Sequence, residues 1–205
     1  MKLMFIHSQA KNLVFELESK DIRKLPKKLL LLYSIQYKEL ASSIRKQLEN
    51  KKIKILGFQQ VLGCSRINTQ SPILLIGTGD FHLLNILKQA QDVYFFNGIL
   101  SKIDKKQIQK LRAKRQASLL KFLSAKKIGI LVSTKPGQEN LAKAIKLKQQ
   151  LIKKKKQVFL FISNKIDTNE FENFDIDVWI NTACAGLSYD NPKIINVDEI
   201  SNFKK

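Results

Sequence analysis

Short apolar runs alternate along the chain with longer stretches in which apolar residues recur at helical spacing, the pattern of strands separated by crossover helices. Strands are predicted at Leu3–Ile6, Leu29–Tyr33, Ile53–Leu56, Ile73–Ile76 and Val93–Phe96, with helices at Lys38–Glu49 and Leu83–Ala90. Several of these runs are apolar throughout, as expected of parallel strands buried on both faces. From Ser101 to Lys127 the spacing of Ile103, Ile108, Leu111, Leu119, Leu120 and Leu123 fits one long amphipathic helix. The alternation then resumes with strands at Ile128–Val132, Val158–Ile162, Val178–Ile180 and near Ile194–Val197, a helix at Glu139–Lys154 and a short helix around Thr168–Asn173. The expected fold class is α/β: two similar domains, each a small parallel sheet flanked by helices, over residues 1–100 and 128–205, joined by a helix over 101–127.

Composition agrees with a folded chain, since 44% of the 205 residues are hydrophobic and 26% charged. The longest unbroken apolar run is far short of the ~18 to 20 residues that span a bilayer, so no membrane partner is expected. The N-terminus lacks a secretory pattern, which makes the cytoplasm the expected address. Charge is less ordinary: 37 Lys and Arg against 17 Asp and Glu give a net +20, a surface that attracts polyanions. The basic residues are nearly all lysine, with arginine only at 23, 45, 66, 112 and 115, and no RNA-reading motif is present. A lysine-rich background therefore accounts for the charge better than a dedicated nucleic-acid surface. The run Lys153–Lys156 reads as a solvated, dipole-compatible helix end.

Three segments carry candidate chemistry. Ser133-Thr-Lys-Pro-Gly-Gln138, between a strand and a helix, offers backbone N–H groups and a lysine to an anion, or is simply a Pro-Gly turn. Gly77-Thr-Gly-Asp-Phe-His82 also follows a strand, where glycine lets a ligand approach the backbone, and His82 either holds a ligand or caps the next helix. Neither segment completes a Walker loop or a dinucleotide fingerprint. The only two cysteines, Cys64 and Cys184, each sit in a short turn after a predicted strand, settings that look equivalent in the two halves. They are either small buried hydrophobes or groups at the carboxyl ends of strands, where ligands gather in open α/β sheets. His7 belongs to no constellation, and no Ser–His–Asp or paired-carboxylate arrangement is visible.

In order along the chain, Ser34-Ile-Gln36, Gln60-Val-Leu-Gly-Cys64, Ile76-Gly-Thr-Gly-Asp-Phe-His82, Arg112 and Arg115, Ile128 to Gln138, Asp177 to Cys184 and Leu187-Ser-Tyr-Asp190 resemble motifs of one family. These are the diphthamide-synthesis enzymes, which make 2-(3-amino-3-carboxypropyl)histidine on translation elongation factor two. The resemblance implies a [4Fe-4S] cluster that uses S-adenosylmethionine in an unusual radical reaction, delivering its 3-amino-3-carboxypropyl group to a histidine imidazole. On this analogy Cys64 and Cys184 are cluster ligands, while Gln36, Gly63, Gly77, Gly79, His82, Thr134, Lys135, Gly137, Gln138 and Asp190 hold the cosubstrate.

Full-length members have three such domains, each giving one cysteine. Here Leu3–His7 resembles the strand that leaves the first domain, so the chain is expected to carry the second and third domains only, with the third cysteine supplied by another polypeptide. Members act as homodimers or paired heterodimers, so a homo- or hetero-oligomer is a further expectation. Asp80 replaces a family arginine, and Ala185-Gly186 stands where Pro-Arg is common, removing cations suited to a carboxylate. The leading expectation is a subunit of a split synthase. A non-catalytic scaffold of that complex, or a basic RNA- or ribosome-binding protein, are the alternatives.

Overall fold

Runs such as Ile73-Leu-Leu-Ile76 and Val93-Tyr-Phe-Phe96 have no polar side to offer water, so they fold only where both faces are covered. The computed structural model describes residues 4, 6, 8, 10, 15–90 and 92–201, and two compact units part between Leu111 and Arg112. The first unit contains α1 (Ser19–Ile22), β1 (Lys28–Tyr33), a 3-10 turn at Ile35–Tyr37, α2 (Lys38–Asn50), β2 (Lys54–Gln60), β3 (Ile73–Ile76), α3 (Asp80–Gln89), β4 (Val93–Phe96) and β5 (Leu100–Lys102). Helix α4 (Lys105–Ser124) runs on into the second unit, with β6 (Lys127–Ser133), α5 (Leu141–Lys153), β7 (Gln157–Ser163), a 3-10 segment at Thr168–Asn173, β8 (Val178–Asn181), α6 (Leu187–Asp190), β9 (Ile194–Asn196) and α7 (Val197–Ser201).

The two sheets repeat one strand order. The first is β2-β1-β3-β4-β5 and the second β7-β6-β8-β9, with every pair parallel except β4 with β5. The antiparallel β5 corrects the expectation of a long helix from Ser101. Gly98 turns the chain at a φ of 104°, a left-handed value costly for any residue with a Cβ, and Leu100–Lys102 runs back along β4 before α4 begins. Strand Leu3–Ile6 was expected at the start, but Leu3 and Phe5, like His7, lie outside the described residues.

Side chains alternate between the faces of each sheet. In the first unit Leu74 and Ile76 join Leu40, Ile44 and Leu48 of α2, while Ile73 and Leu75 join Ile86 and Leu87 of α3 and Ile108 of α4. In the second, Ile128, Ile130 and Val132 pack with Leu147 and Leu151 of α5 and Phe122 of α4. Its other face is covered largely by Trp179, Leu131 and Ile194 with Phe161 and Phe171, the last ring stacked on Trp179 at 4.2 Å. Gly129 makes room for that indole, since a Cβ there would lie 2.4 Å from Trp179 Cε3. Among the described residues no helix is long and apolar enough to cross a membrane.

The repeat extends to the way α2 and α5 end. Lys52 and Lys155 take left-handed φ values of 59° and 60°. Behind them Ile53 N donates to Leu48 O at 3.0 Å, and Lys156 N donates to Leu151 O at 3.2 Å. Each is a Schellman cap with lysine where glycine is usual. Lys52→Gly and Lys155→Gly are each expected to stabilise the protein by about 0.5–1 kcal/mol, the left-handed cost of ~1–2 kcal/mol less the extra freedom of glycine in the unfolded chain. Urea-unfolding midpoints of the two variants check this.

Candidate functional site

In both sheets the chain lays down a central strand, crosses to one side, then returns to the other, so the crossover helices diverge at the carboxyl ends of β1 and β3, and of β6 and β8. That divergence opens a crevice, and in open parallel sheets ligands bind there. The anion-friendly turns singled out in the sequence all fall at these strand ends.

In the second unit, Ser133 Oγ accepts from Lys135 N at 3.1 Å and Gln138 N donates to Lys135 O at 3.0 Å, folding the segment after β6 into a tight loop. Gly137 closes it at a φ of 77°. The loop forms one wall of a cavity of about 430 Å³ lined by Ser133, Lys135, Gln138, Lys165, Cys184 and Gly186, among others. Thr134 and Gly137 belong to the same turn and are exposed, but neither lines the cavity. Asp190 ends α6, and its side chain is not among those described.

Cys184, a free half-buried thiol, is held through its backbone. Asn181, 1% exposed at the end of β8, donates from Nδ2 to Cys184 O and to Asn196 Oδ1, both at 2.7 Å, and its Oδ1 accepts from Ala183 N at 2.9 Å. Asn196 Nδ2 in turn donates to Ser188 Oγ at 2.7 Å and Ala185 O at 3.2 Å. Ser188 Oγ donates to Ala185 O at 3.0 Å and accepts from Arg115, which also pairs with Glu199 at 3.3 Å. A buried network thus ties the turn carrying Cys184 to α4 and α7. Buried polar groups in such a network rigidify because leaving one unpaired is costly. Of these residues the motif resemblance touched Arg115, Asn181 and Ser188, but nothing in the sequence marked Asn196 or Glu199, whose partners are distant in the chain.

In the first unit, Gly77 closes the end of β3 against β1, where a Cβ would lie 3.0 Å from Ser34 Oγ, and Tyr37 OH donates to Thr78 Oγ1 at 3.0 Å across the same gap. Gln36 is exposed in the turn after β1. Gly79, at a φ of 75°, immediately precedes α3, and His82 lies half-buried in the helix's first turn. Cys64 is an exposed free thiol in the loop after β2. That loop is fastened to α3: Asn85 Nδ2 and Gln89 Nε2 donate to Ser65 O at 2.8 and 3.0 Å, and Gln89 Oε1 accepts from Ile67 N at 2.7 Å. Gly63 lies under Phe81 so closely that a Cβ would fall 1.7 Å from the ring. The Cys64 turn and the helix turn carrying His82 are therefore packed together.

The cysteine settings are not equivalent, contrary to expectation. Cys64 follows the edge strand β2, whose counterpart is β7, whereas Cys184 follows the inner strand β8, the counterpart of β3. Sequence showed only that each follows a strand; strand order decides which one. Asp80 begins α3 on the surface, and Ala185 contributes its carbonyl to the network above.

Among the described residues no group of three or more His, Cys, Asp and Glu side chains is placed to hold a metal ion. Each unit instead presents one free, solvent-reached thiol on a fastened loop, which suits a single thiolate ligand per unit and falls short of a complete donor set for an iron–sulfur cluster.

These features define the class: a two-unit, doubly wound α/β protein with one reachable thiol at strand ends in each unit. Residues 1–199 match the family described as "Putative diphthamide synthesis protein", and the chain belongs to that family. It is 27% identical over 188 residues to the 2-(3-amino-3-carboxypropyl)histidine synthase of Pyrococcus horikoshii, an alignment covering 83% of this chain and 54% of that one. It is 28% identical over 151 residues to subunit 1 of the synthase of Kluyveromyces lactis, covering 68% of this chain and 35% of that one. Among solved structures it superposes on Dph2 from Pyrococcus horikoshii with 4Fe-4S cluster at a TM-score of 0.73 and 24% identity, covering 89% of this chain and 58% of that one. The chain thus spans about half the length, or less, of the curated relatives it matches.

Two outcomes are expected from this geometry. Asn181→Ala leaves Asn196 Oδ1 buried without its donor and is expected to cost about 2–3 kcal/mol, read by urea unfolding. Burial lowers the pKa of His82 below the ordinary imidazole value, so its ring is neutral at pH 7. The unfolded imidazole then takes up its proton first. The contribution of His82 to stability is full above ~6.5 and is lost as the pH falls from there through the lower folded value. An NMR titration of labelled histidine is expected to place the His82 midpoint below 6.5.

Proposed function

We propose that this chain is a subunit of a 2-(3-amino-3-carboxypropyl)histidine synthase that acts in the first step of diphthamide biosynthesis, with S-adenosylmethionine as cosubstrate and a histidine of translation elongation factor two as acceptor. Cys64 and Cys184 each give one thiolate to a [4Fe-4S] cluster, and a further polypeptide supplies the third. Family membership, the names of the relatives and the cluster in the solved Dph2 structure support this reading. The observation that carries it is the placement of Cys184 in the wall of the strand-end cavity, on a turn whose backbone Asn181 holds.

When bound, the cluster supplies the electron that breaks the sulfur–Cγ bond of the sulfonium. The chain's own residues do the rest: Asn181, Asn85 and Gln89 hold the two cysteine turns, so little ordering is left for ligand binding. Lys135 shares the cavity with Cys184 as a cation for a carboxylate, a charge the chain lacks at Asp80 and Gly186. Gln36, Gly77, Gly79 and His82 sit at the corresponding switch point of the first unit, where the neutral His82 ring offers a hydrogen bond rather than a charge. Thiolate ligands require a reducing compartment, in keeping with a cytoplasmic subunit.

The presence of only two cysteines favours one other reading, a scaffold that carries no cluster. Anaerobic iron–sulfide reconstitution with a co-encoded protein bearing the missing first domain separates the two. The expected result is a cluster signal, by visible absorbance and electron paramagnetic resonance, that Cys64→Ala or Cys184→Ala each abolishes. A complex that keeps its full signal in both variants would leave the scaffold as the function.

A further inference from the structure

The last turns of α4, the second half of α5 and α7 enclose a groove of about 500 Å³ whose floor is Phe122, Leu123, Leu147, Leu151 and Ile200. Four of these are buried, but Leu123 is 50% exposed, and Leu120 and Ile152 beside it on the same helices are 66% and 50% exposed. The apolar surface therefore continues past the groove along both helices. Leu120 and Leu123 are three residues apart, the spacing by which a helix presents one stripe to another, whereas Leu147 and Leu151, four apart, pack on the sheet and show the groove only their edges.

The rim is cationic. Among the described residues Lys153 and Lys154 line it and no carboxylate does. Lys156 is occupied otherwise, donating from Nζ to Leu123 O at 2.9 Å and to Ala125 O, which fastens the end of α4 as a wall. The cavity walled by Cys184 lies at the carboxyl ends of the strands, whereas α4 and α5 approach the groove just before β6 and β7 begin. The groove thus sits at the opposite end of the second unit's sheet, and an occupant leaves the cavity open.

We propose that this groove docks an acidic amphipathic helix of a partner protein. Its apolar residues one turn apart enter between Leu123 and Leu147, and its carboxylates meet Lys153 and Lys154. An apolar stripe shared by two helices fits a third helix, and the unbalanced positive rim selects acidic flanks and repels basic ones.

The test uses the full chain and a labelled helical peptide with leucines at i and i+4 among glutamates, followed by fluorescence anisotropy. Saturable binding that weakens with added salt is expected. Leu123→Asp, and separately Lys153→Glu with Lys154→Glu, should each weaken it at least about tenfold. Both sites are on the surface, and circular dichroism confirms that the variants fold. A peptide with lysines in place of the glutamates should not bind. The proposal is overturned by absence of binding, or by affinity unchanged in both variants. It is equally overturned by uptake of oleate or anionic phospholipid vesicles without the peptide, or by peptide binding that appears only after residues 202–205 are removed.

Discussion

The central parallel strand of each unit governs everything else in the structure. Leu29, Leu31 and Leu32 of β1 and Ile128 and Ile130 of β6 are wholly buried, with strands on both edges and side chains packed on both faces. Beyond Lys28, Leu30 and Lys127 little along these strands touches water, and a slip of one residue would send each side chain to the wrong cluster. Chemistry is confined to the strand ends. Because every inner strand runs the same way, the carboxyl ends of each sheet collect the loops that carry Gln36, Gly77 and His82 in one unit and Lys135, Gln138 and Cys184 in the other.

The two cysteine turns reach rigidity by different routes. Cys64 follows an edge strand, with a neighbour on one side only, and side chains of α3 hold it from above: Asn85 and Gln89 by hydrogen bonds, Phe81 by lying on Gly63. Cys184 follows an inner strand, where Asn181 and Asn196 sit side by side in register and close a buried polar circuit through Ser188 to Arg115. One turn is clamped by a helix, and the other is built into its sheet. A perturbation of α4 near Arg115 therefore reaches the Cys184 turn through Ser188, Asn196 and Asn181, whereas Cys64 answers to α3.

Much of the fold was legible because burial on both faces leaves an unmistakable trace. Ile73–Ile76 and Val93–Phe96 match the predicted strands to the residue, as every position is apolar. The edge strands β2 and β7 run past their predicted ends because half of each faces water and polar residues such as Gln59 and Ser163 are tolerated there. Strand β5 left no trace: Leu-Ser-Lys has no period of its own, and its pairing with β4 is a tertiary event that begins at Gly98. At the site, the turns were visible through their glycines and prolines, and the cysteines through their scarcity. Asn196 was not, since an asparagine before a helix reads as a cap, and only the neighbouring strand reveals its buried partner.

The excess of lysine gains meaning from the same topology. A charge of +20 spread evenly would say little, yet the ends of the second unit's sheet use lysine differently. At the carboxyl end Lys135 and Lys165 share a cavity with a thiol, a setting for a small anion. At the amino end Lys153 and Lys154 border apolar leucines, a setting for a surface that is both acidic and greasy. A helix ending before each strand brings its carbonyls, and hence a need for cations, to that amino end, and Lys156 meets the need at α4.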